Sequence, residues 1–241
     1  LGSKDCRDFL HRHYTVGNTV VFYSGPQSPN HIADLVERCF KGLPHGAEKK
    51  QTAANVFTTK SAEVTIDGLH QSHVVLGIEV DSLYGDGRYA DGLFSNLLGG
   101  PGMNSLLNVE LRERRGLVYT VESSLTRFTS SGLMTVYFGC DPDDTARCLD
   151  LCRRTARKLA DTPADTLERR LDRAKRQWLG QLAIGSENRE NRIMGAARAL
   201  LQTGRIITDA EATEHIQTIK AGQIKSRAEA LLSPATLIFH P

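Results

Sequence analysis

Apolar residues recur along this chain with two different spacings, which predict strands in some stretches and helices in others. Between residues 74 and 80 every second residue is apolar, which is typical of a strand with one buried face. From Leu167 to Leu182 the apolar residues recur every three or four positions, which predicts a long helix that Gly185 ends. The two spacings therefore divide the chain into mixed helical and extended segments.

Cap and turn residues complete this division, since Ser28-Pro29 and Asp141-Pro142 are strong helix starts. The predicted helices are 4–13, 29–40, 88–98, 105–115, 142–159, 164–184, 187–203, 208–215 and 220–232. The predicted strands are 18–24, 63–67, 71–81, 117–126, 132–139 and 235–239. Arg127 to Ser131 joins two of them as an antiparallel hairpin. The predicted fold class is α+β, with a mostly antiparallel sheet packed against several helices.

The domain organisation follows from a polar stretch and an internal similarity. Residues 46–62 are polar and predict a linker, which leaves a helix-strand-helix segment at 1–45 and a larger domain at 63–241. The strand, turn and helix that begin at Val20 resemble those that begin at Val136. This similarity favours a duplicated protein, with 1–45 as the tail of a preceding homologous half. Chance similarity between short βα units is the alternative.

Composition restricts the class of protein without identifying it. The 241 residues are 40% hydrophobic and 24% charged, which is ordinary for a soluble globular protein. The net charge of +2 is too small to argue for nucleic acid or an anionic membrane as a partner. No run of 18 apolar residues predicts a membrane span. Five cysteines occur without a Cys-x-x-Cys motif. Cys148 and Cys152 are interpreted as small apolar residues of the core, which favours a reducing compartment such as the cytoplasm. A metal-binding or redox-active pair is the alternative.

Residues 99–119 carry the candidate chemistry. Gly99 to Gly102 breaks one helix, Asn104 is a candidate cap for the next, and Gly116 can supply the left-handed residue that ends it. Arg112 and Tyr119 then lie on either side of one sharp corner. An arginine fork can hold a peptide carbonyl or carboxylate, and a tyrosine hydroxyl can donate to a developing oxyanion. A solvated helix-end arginine and an ordinary strand tyrosine are the alternative.

Two other patterns carry weaker signals. The loop at Gly99, Gly100 and Gly102 could hold a phosphate, but it lacks the Lys-Ser/Thr of a P-loop, and a structural turn is favoured. His70 and His73 invite a zinc assignment. Residues three apart on a strand point to opposite faces, so ordinary surface histidines are favoured there. The sequence predicts no metal site in this chain.

Two consecutive motifs resemble the C-terminal half of the M16 zinc metallopeptidases. They are Gly99-Gly-Pro-Gly-Met-Asn-Ser and, after it, Leu111-Arg-Glu-Arg-Arg-Gly-Leu-Val-Tyr119. In that family two similar α+β halves close like a clamp around a peptide. The first half carries an inverted zinc motif, His-x-x-Glu-His, whose Glu is the general base. The second half binds no metal and supplies an Arg and a Tyr, which this resemblance places at Arg112 and Tyr119. Substrate contacts are expected at the loop before them: Gly99, Gly100, Gly102 and Asn104.

This chain departs from the family pattern because it contains no His-x-x-Glu-His. The resemblance therefore implies that zinc belongs to a full-length protein and that this chain alone is inactive. The chain opens on Leu-Gly-Ser-Lys as though inside a longer protein, so we expect a preceding N-terminal half. The expected partners are that half and a peptide or unfolded polypeptide substrate, with no nucleic acid and no membrane. Two alternatives stay open: a non-catalytic subunit of M16 type, and an unrelated α+β module that holds an anion at Gly99–Gly102.

Overall fold

The computed structural model describes residues 2–46, 57–58 and 60–241, so most of the predicted linker at 46–62 lies outside the described residues. The helices are α1 (Ser3–His13), α2 (Pro29–Phe40), α3 (Arg88–Gly99), α4 (Thr145–Ala160), α5 (Ala164–Glu187), α6 (Arg189–Thr203), α7 (Asp209–Thr218) and α8 (Ala221–Ala230). The strands are β1 (Ala62–Thr65), β2 (Ser72–Val80), β3 (Val118–Arg127), β4 (Gly132–Cys140) and β5 (Ala235–His240). None of the helices in these ranges is long and apolar enough to cross a membrane.

The five strands form one mixed sheet in the order β1-β5-β2-β4-β3. Neighbouring strands are antiparallel except β1 and β5, which are parallel. The α+β fold class with a mostly antiparallel sheet is thereby confirmed. The predicted hairpin between β3 and β4 is confirmed too, and the Phe128 N–H closes it on the Ser131 carbonyl at 2.8 Å.

The core lies between the sheet and the helices α3, α4 and α8. Val74, Leu76 and Ile78 face it from β2, as the alternating pattern predicted. Phe94 of α3 and Phe138 of β4 are fully buried there. Burying side chains of this size stabilises the fold by about 1.5–3 kcal/mol each, so this layer is a major source of stability.

The described chain divides into two compact units. One comprises Leu1–Thr52 with Gln181–Ala212, and the other comprises Ala53–Gly180 with Thr213–Pro241 and contains the sheet. Among the described residues of the first unit only Thr15 is buried. That unit exposes many large apolar side chains: Phe9, Leu10, Tyr14, Val16, Val21, Phe22, Tyr23, Leu35, Phe40, Leu182, Ile184, Met194, Leu201 and Ile206.

Two of the predicted elements are wrong. The stretch 18–24 forms no strand: a 3₁₀ turn at Val16–Asn18 is followed by irregular chain that pairs with no described strand. Its apolar residues suit a strand, but a strand exists only where a partner supplies its hydrogen bonds. Gly185 does not end α5, which continues to Glu187, because glycine costs a helix only about 1 kcal/mol. The break comes at Asn188, which caps α6 by accepting from the N–H groups of Glu190 and Asn191.

An ion-pair network around the buried Asp91 ties the sheet unit together. Asp91 of α3 is completely buried and accepts a hydrogen bond from Arg227 Nε of α8 at 2.8 Å. Arg227 Nη2 also lies 2.9 Å from Asp81 Oδ2, and Arg127 Nη2 lies 3.9 Å from Asp91 Oδ2. Burial raises the pKa of the Asp91 carboxyl, while the hydrogen bond and charge of Arg227 oppose that rise. The network therefore joins α3, α8, β3 and the loop after β2.

Candidate functional site

Arg112 lies on a π-helix and not on the regular α-helix that the sequence predicts. The segment begins as α-helix at Leu106 and widens to a π-helix at Asn108–Glu113. The Arg114 N–H accordingly bonds to the carbonyl of Val109, five residues back, at 3.0 Å. Short π-helical insertions occur frequently at functional sites, because they turn side chains away from their regular helical direction.

The corner after this helix forms as predicted. Gly116 has φ +63°, the left-handed conformation that glycine adopts without a Cβ penalty. Its N–H bonds to the Arg112 carbonyl at 2.8 Å, and the Leu117 N–H bonds to the Leu111 carbonyl at 2.9 Å. These bonds end the helix at once, and β3 begins at Val118.

Tyr119 lies in a β-bulge that the sequence pattern did not reveal. Val118 pairs with Cys140 and Val121 with Phe138, so β3 advances three residues while β4 advances two. The two residues between them, Tyr119 and Thr120, share the space opposite a single partner, and both side chains face solvent. Tyr119 is 81% exposed, and its hydroxyl has no hydrogen-bond partner among the residues that the structure describes. The bulge therefore presents a free phenol at the edge strand of the sheet.

A cleft of about 320 Å³ lies beside this corner. Four of the six predicted site residues line it, namely Gly99, Gly100, Gly102 and Arg112. Thr120, the neighbour of Tyr119 in the bulge, lines it as well, whereas Tyr119 and Asn104 do not. The structure thus brings the glycine loop and Arg112 together and places Tyr119 next to the cleft.

The structure separates Arg112 from the other arginines of its cluster. Arg114 and Arg115 both bind the Glu110 carboxylate, and Arg115 also donates to the Glu110 carbonyl at 2.8 Å. The Arg115 hydrogen bond holds the pKa of the Glu110 carboxyl below its usual value. Arg112 has only a distant ion pair with Glu113 at 3.9 Å, and no hydrogen bond of its guanidinium occurs in the described ranges. Its fork is therefore available to a ligand in the cleft.

Asn104 does not cap the following helix, contrary to the prediction. Its side-chain amide exchanges two hydrogen bonds with that of Gln177 on α5, at 2.8 and 3.2 Å. Asn108, which sequence reasoning missed, supports the loop instead: its Nδ2 donates to the Met103 carbonyl at 2.7 Å, and the residue lines the cleft. A buried polar residue at a helical position between Leu107 and Leu111 was the signal that could have identified it.

Gly99 packs against the backbone of β3, which gives a first testable prediction. A Cβ on Gly99 would lie 2.9 Å from the Ser123 nitrogen and 3.2 Å from the Glu122 carbonyl carbon. Gly99→Ala is therefore expected to lower the free energy of unfolding by about 1–3 kcal/mol in urea denaturation, because backbone atoms must shift. Gly180→Ala is the control, since a Cβ there meets nothing within 4 Å, and it should gain about 0.5–1 kcal/mol in helix α5. Equal stability of both variants would contradict the close approach of Gly99 to β3.

The residues that the structure describes do not fit a zinc site. His73, one of the two histidines considered above, lies with its Nδ1 2.8 Å from the Tyr137 hydroxyl. Cys148 and Cys152 are buried in the core, and burial raises the pKa of the Cys152 thiol to about 12, which keeps it protonated. Within the described ranges, no group of three or more His, Cys, Asp or Glu is arranged to hold a metal ion. No metal-dependent step is therefore assigned to residues of this chain.

Comparison with known proteins gives consistent matches. A family model described as the peptidase M16 inactive domain matches residues 1–178. An uncharacterized zinc protease of Mycobacterium bovis is 30% identical over 233 residues, which cover 94% of this chain and 52% of that protein. The uncharacterized zinc protease YmxG of Bacillus subtilis is 25% identical over 233 residues, covering 94% and 54% respectively. The chain thus spans about half the length of the curated relatives it matches.

The fold has a close counterpart among solved structures. The crystal structure of a peptidase M16 inactive domain from Pseudomonas fluorescens superposes with a TM-score of 0.81 and covers 99% of this chain and 57% of that chain. The sequence identity is 22%, so this likeness concerns the fold.

Proposed function

This chain belongs to the peptidase M16 family as an inactive domain of that family, and we propose that it is the C-terminal, zinc-free half of an M16-like zinc endopeptidase. In this proposal it holds a peptide or unfolded polypeptide and contributes Arg112 and Tyr119 to the active site of a preceding half. We use the term full-length protein for this chain joined to that preceding half. Zinc and the general base are assigned to the preceding half, where the bound metal would activate the attacking water.

The observation that carries the proposal is an arginine fork in a cleft beside an exposed tyrosine hydroxyl, neither of which makes a hydrogen bond to any described residue. Arg112 can donate two parallel hydrogen bonds to a carbonyl or carboxylate of an extended peptide. Tyr119 can donate one hydrogen bond to the oxygen that becomes negative when a peptide carbonyl is attacked. The glycines of the loop leave room for a peptide backbone, because they place no side chain in the cleft. Together these groups can bind and polarise a peptide but cannot cleave it without a nucleophile.

Two further observations support a preceding half as partner. The chain covers 52% of the length of its Mycobacterium bovis relative, which leaves room for a second domain of similar size. The first compact unit also exposes the apolar side chains named above, and so many exposed apolar residues in one unit favour an interaction with a partner. The proposed preceding half would cover it.

The experiment that tests the role of Tyr119 uses peptide cleavage by the full-length protein. Tyr119→Phe is expected to lower kcat roughly 10- to 100-fold, somewhat below the loss for an enclosed oxyanion donor, because water competes for an exposed hydroxyl. KM should change little, since the hydrogen bond strengthens only as the oxyanion forms. The control is Tyr84→Phe, at a tyrosine that is 52% exposed and lines no part of the cleft. Equal kcat values for Tyr119→Phe and wild type would refute this role.

The absence of His-x-x-Glu-His from this chain is equally compatible with a second candidate, a non-catalytic M16 subunit. The two candidates differ in the sequence that precedes Leu1 in the gene. A zinc motif there supports the peptidase half. A preceding half without the motif, together with a stable complex that cleaves no peptide, supports the non-catalytic subunit.

A further inference from the structure

A second cleft of about 380 Å³ lies in the sheet unit, between α3, the π-helix, α4 and the start of α5. We call it the basic cleft. Its lining residues are five leucines and one threonine, which form an apolar floor, and six charged residues, which form the rim; none of them lines the cleft of Arg112. The volume falls at the small end of the range of about 300–1000 Å³ that is typical of ligand sites.

The floor of the basic cleft is aliphatic. Leu159 and Leu167 are buried, Leu151 is nearly so, and Leu97 and Leu106 are half-buried at its edge. The hydroxyl of Thr155, which also lines the floor, already donates to the Leu151 carbonyl at 2.8 Å. The floor thus offers contact surface to an apolar group and no free hydrogen-bond donor to a polar one.

The rim of the basic cleft is strongly cationic. Five basic side chains and one acidic side chain line it: Arg114, Arg115, Arg154, Lys158, Arg170 and Glu110. Glu110 is occupied by Arg114 and Arg115, and Arg154 pairs with Asp150, which lies outside the lining. Lys158 and Arg170 have no ion pair or hydrogen bond within the part of the chain that the structure describes. Lys158 does act at longer range on Glu110, but the Glu110 carboxylate is already held by Arg114 and Arg115, so the cationic charge of the rim exceeds its single carboxylate.

The π-helix separates this cleft from the one described above. Asn108 and Arg112, four residues apart, line the first cleft, whereas Glu110 and Arg114, also four apart, line the basic cleft. Residues four apart lie on the same side of a helix. The two clefts are therefore on different sides of one element, and a ligand in one is distinct from a ligand in the other.

We propose that the basic cleft binds a single-chain anionic amphiphile, a carboxylate on a linear alkyl chain such as a medium-chain fatty acid. The carboxylate pairs with Lys158 and Arg170 at the rim, and the alkyl chain lies on the leucine floor. A peptide fits less well, because its backbone amides would find no partner on that floor. A two-chain lipid would need a larger apolar volume. This site is independent of the proposed peptidase function.

The test is isothermal titration of the 241-residue chain with octanoate and decanoate below their micelle concentrations. Each added methylene should increase affinity roughly 3- to 4-fold, since each buries further apolar surface. The double variant Lys158→Ala/Arg170→Ala should weaken decanoate binding about 10-fold, and added salt should weaken wild-type binding. The matched control is Arg153→Ala/Arg157→Ala, which removes two exposed charges of the same helix α4 that do not line the cleft. Circular dichroism confirms that both variants are folded.

Several results would overturn the proposal. Equal weakening in the two double variants would mean that net charge and not the cleft determines binding. Decanol binding as tightly as decanoate would remove the role of the cationic rim. Failure of decanoate to bind, while a peptide with apolar C-terminal residues or vesicles of phosphatidylglycerol do bind, would assign the cleft to a different ligand class.

Discussion

Replacing Arg112 with alanine is expected to lower kcat/KM for peptide cleavage by the full-length protein about 100- to 1000-fold. The reason is that Arg112 lines the cleft of the glycine loop and has only a distant ion pair with Glu113, whereas Arg114 and Arg115 bind Glu110. Removing it takes away a bidentate charged donor that no nearby side chain replaces. Initial-rate kinetics on a fluorogenic peptide measure the effect.

Two further variants sharpen this test. Arg112→Lys keeps the charge but loses the planar fork, so it should recover only a small part of the lost rate. Arg173→Ala removes an exposed arginine of α5 that lines neither cleft, and it should leave kcat/KM unchanged. Wild-type kinetics in Arg112→Ala would rule out its assignment to the active site, although the fold and family would stand. Full recovery by lysine would show that charge alone, without the fork, is sufficient.

Replacing Asp91 with asparagine is expected to lower the free energy of unfolding by about 1.5–3 kcal/mol, because it removes the buried charged acceptor of Arg227 Nε, while Asp81 still pairs with Arg227. Asp91 is fully buried and lies between Arg227 at 2.8 Å and Arg127 at 3.9 Å. Asparagine has nearly the same shape as aspartate, so no cavity forms. The loss of stability therefore comes mainly from the lost negative charge. Urea denaturation of the chain followed by circular dichroism measures the change.

An exposed ion pair of similar chemistry provides the control. Asp150→Asn breaks the pair between Asp150 and Arg154 on α4, where both side chains are at least half exposed, and it should cost less than about 0.5 kcal/mol. A small, equal loss in both variants would mean that the Asp91 network is not a major source of stability. A large loss in Asp91→Asn alone supports it.

The elements that sequence reasoning located correctly depend on interactions between neighbours in the chain. Ser28 accepts from the His31 N–H at 3.3 Å before α2, and Asp141 accepts from the Asp143 N–H at 3.1 Å before α4. Gly116 adopts the left-handed conformation that the sequence required. Such caps and turns involve residues within a few positions of each other, so a local pattern contains all the information needed.

The features that sequence reasoning missed depend on distant partners. Residues 18–24 have the composition of a strand, yet no described strand pairs with them. The bulge at Tyr119 and Thr120 follows from the register between β3 and β4, in which Val118 and Val121 both face the core. Asn104 was expected to cap a helix, but Gln177 on α5, far along the chain, binds its amide instead.

The sequence by itself determined the fold class, the family resemblance and the positions of Arg112 and Tyr119 around one corner, because each of these depends on local spacing and composition. Only the tertiary structure decided which arginine is free, because Glu110 binds Arg114 and Arg115 and leaves Arg112 to the cleft. The exposure of Tyr119 follows from the register between β3 and β4, and the basic cleft forms where α3 and the π-helix pack near α4 and α5, so only the tertiary structure determines them. Side-chain pairing, strand register and cavities are set by contacts across the fold, which no local pattern specifies.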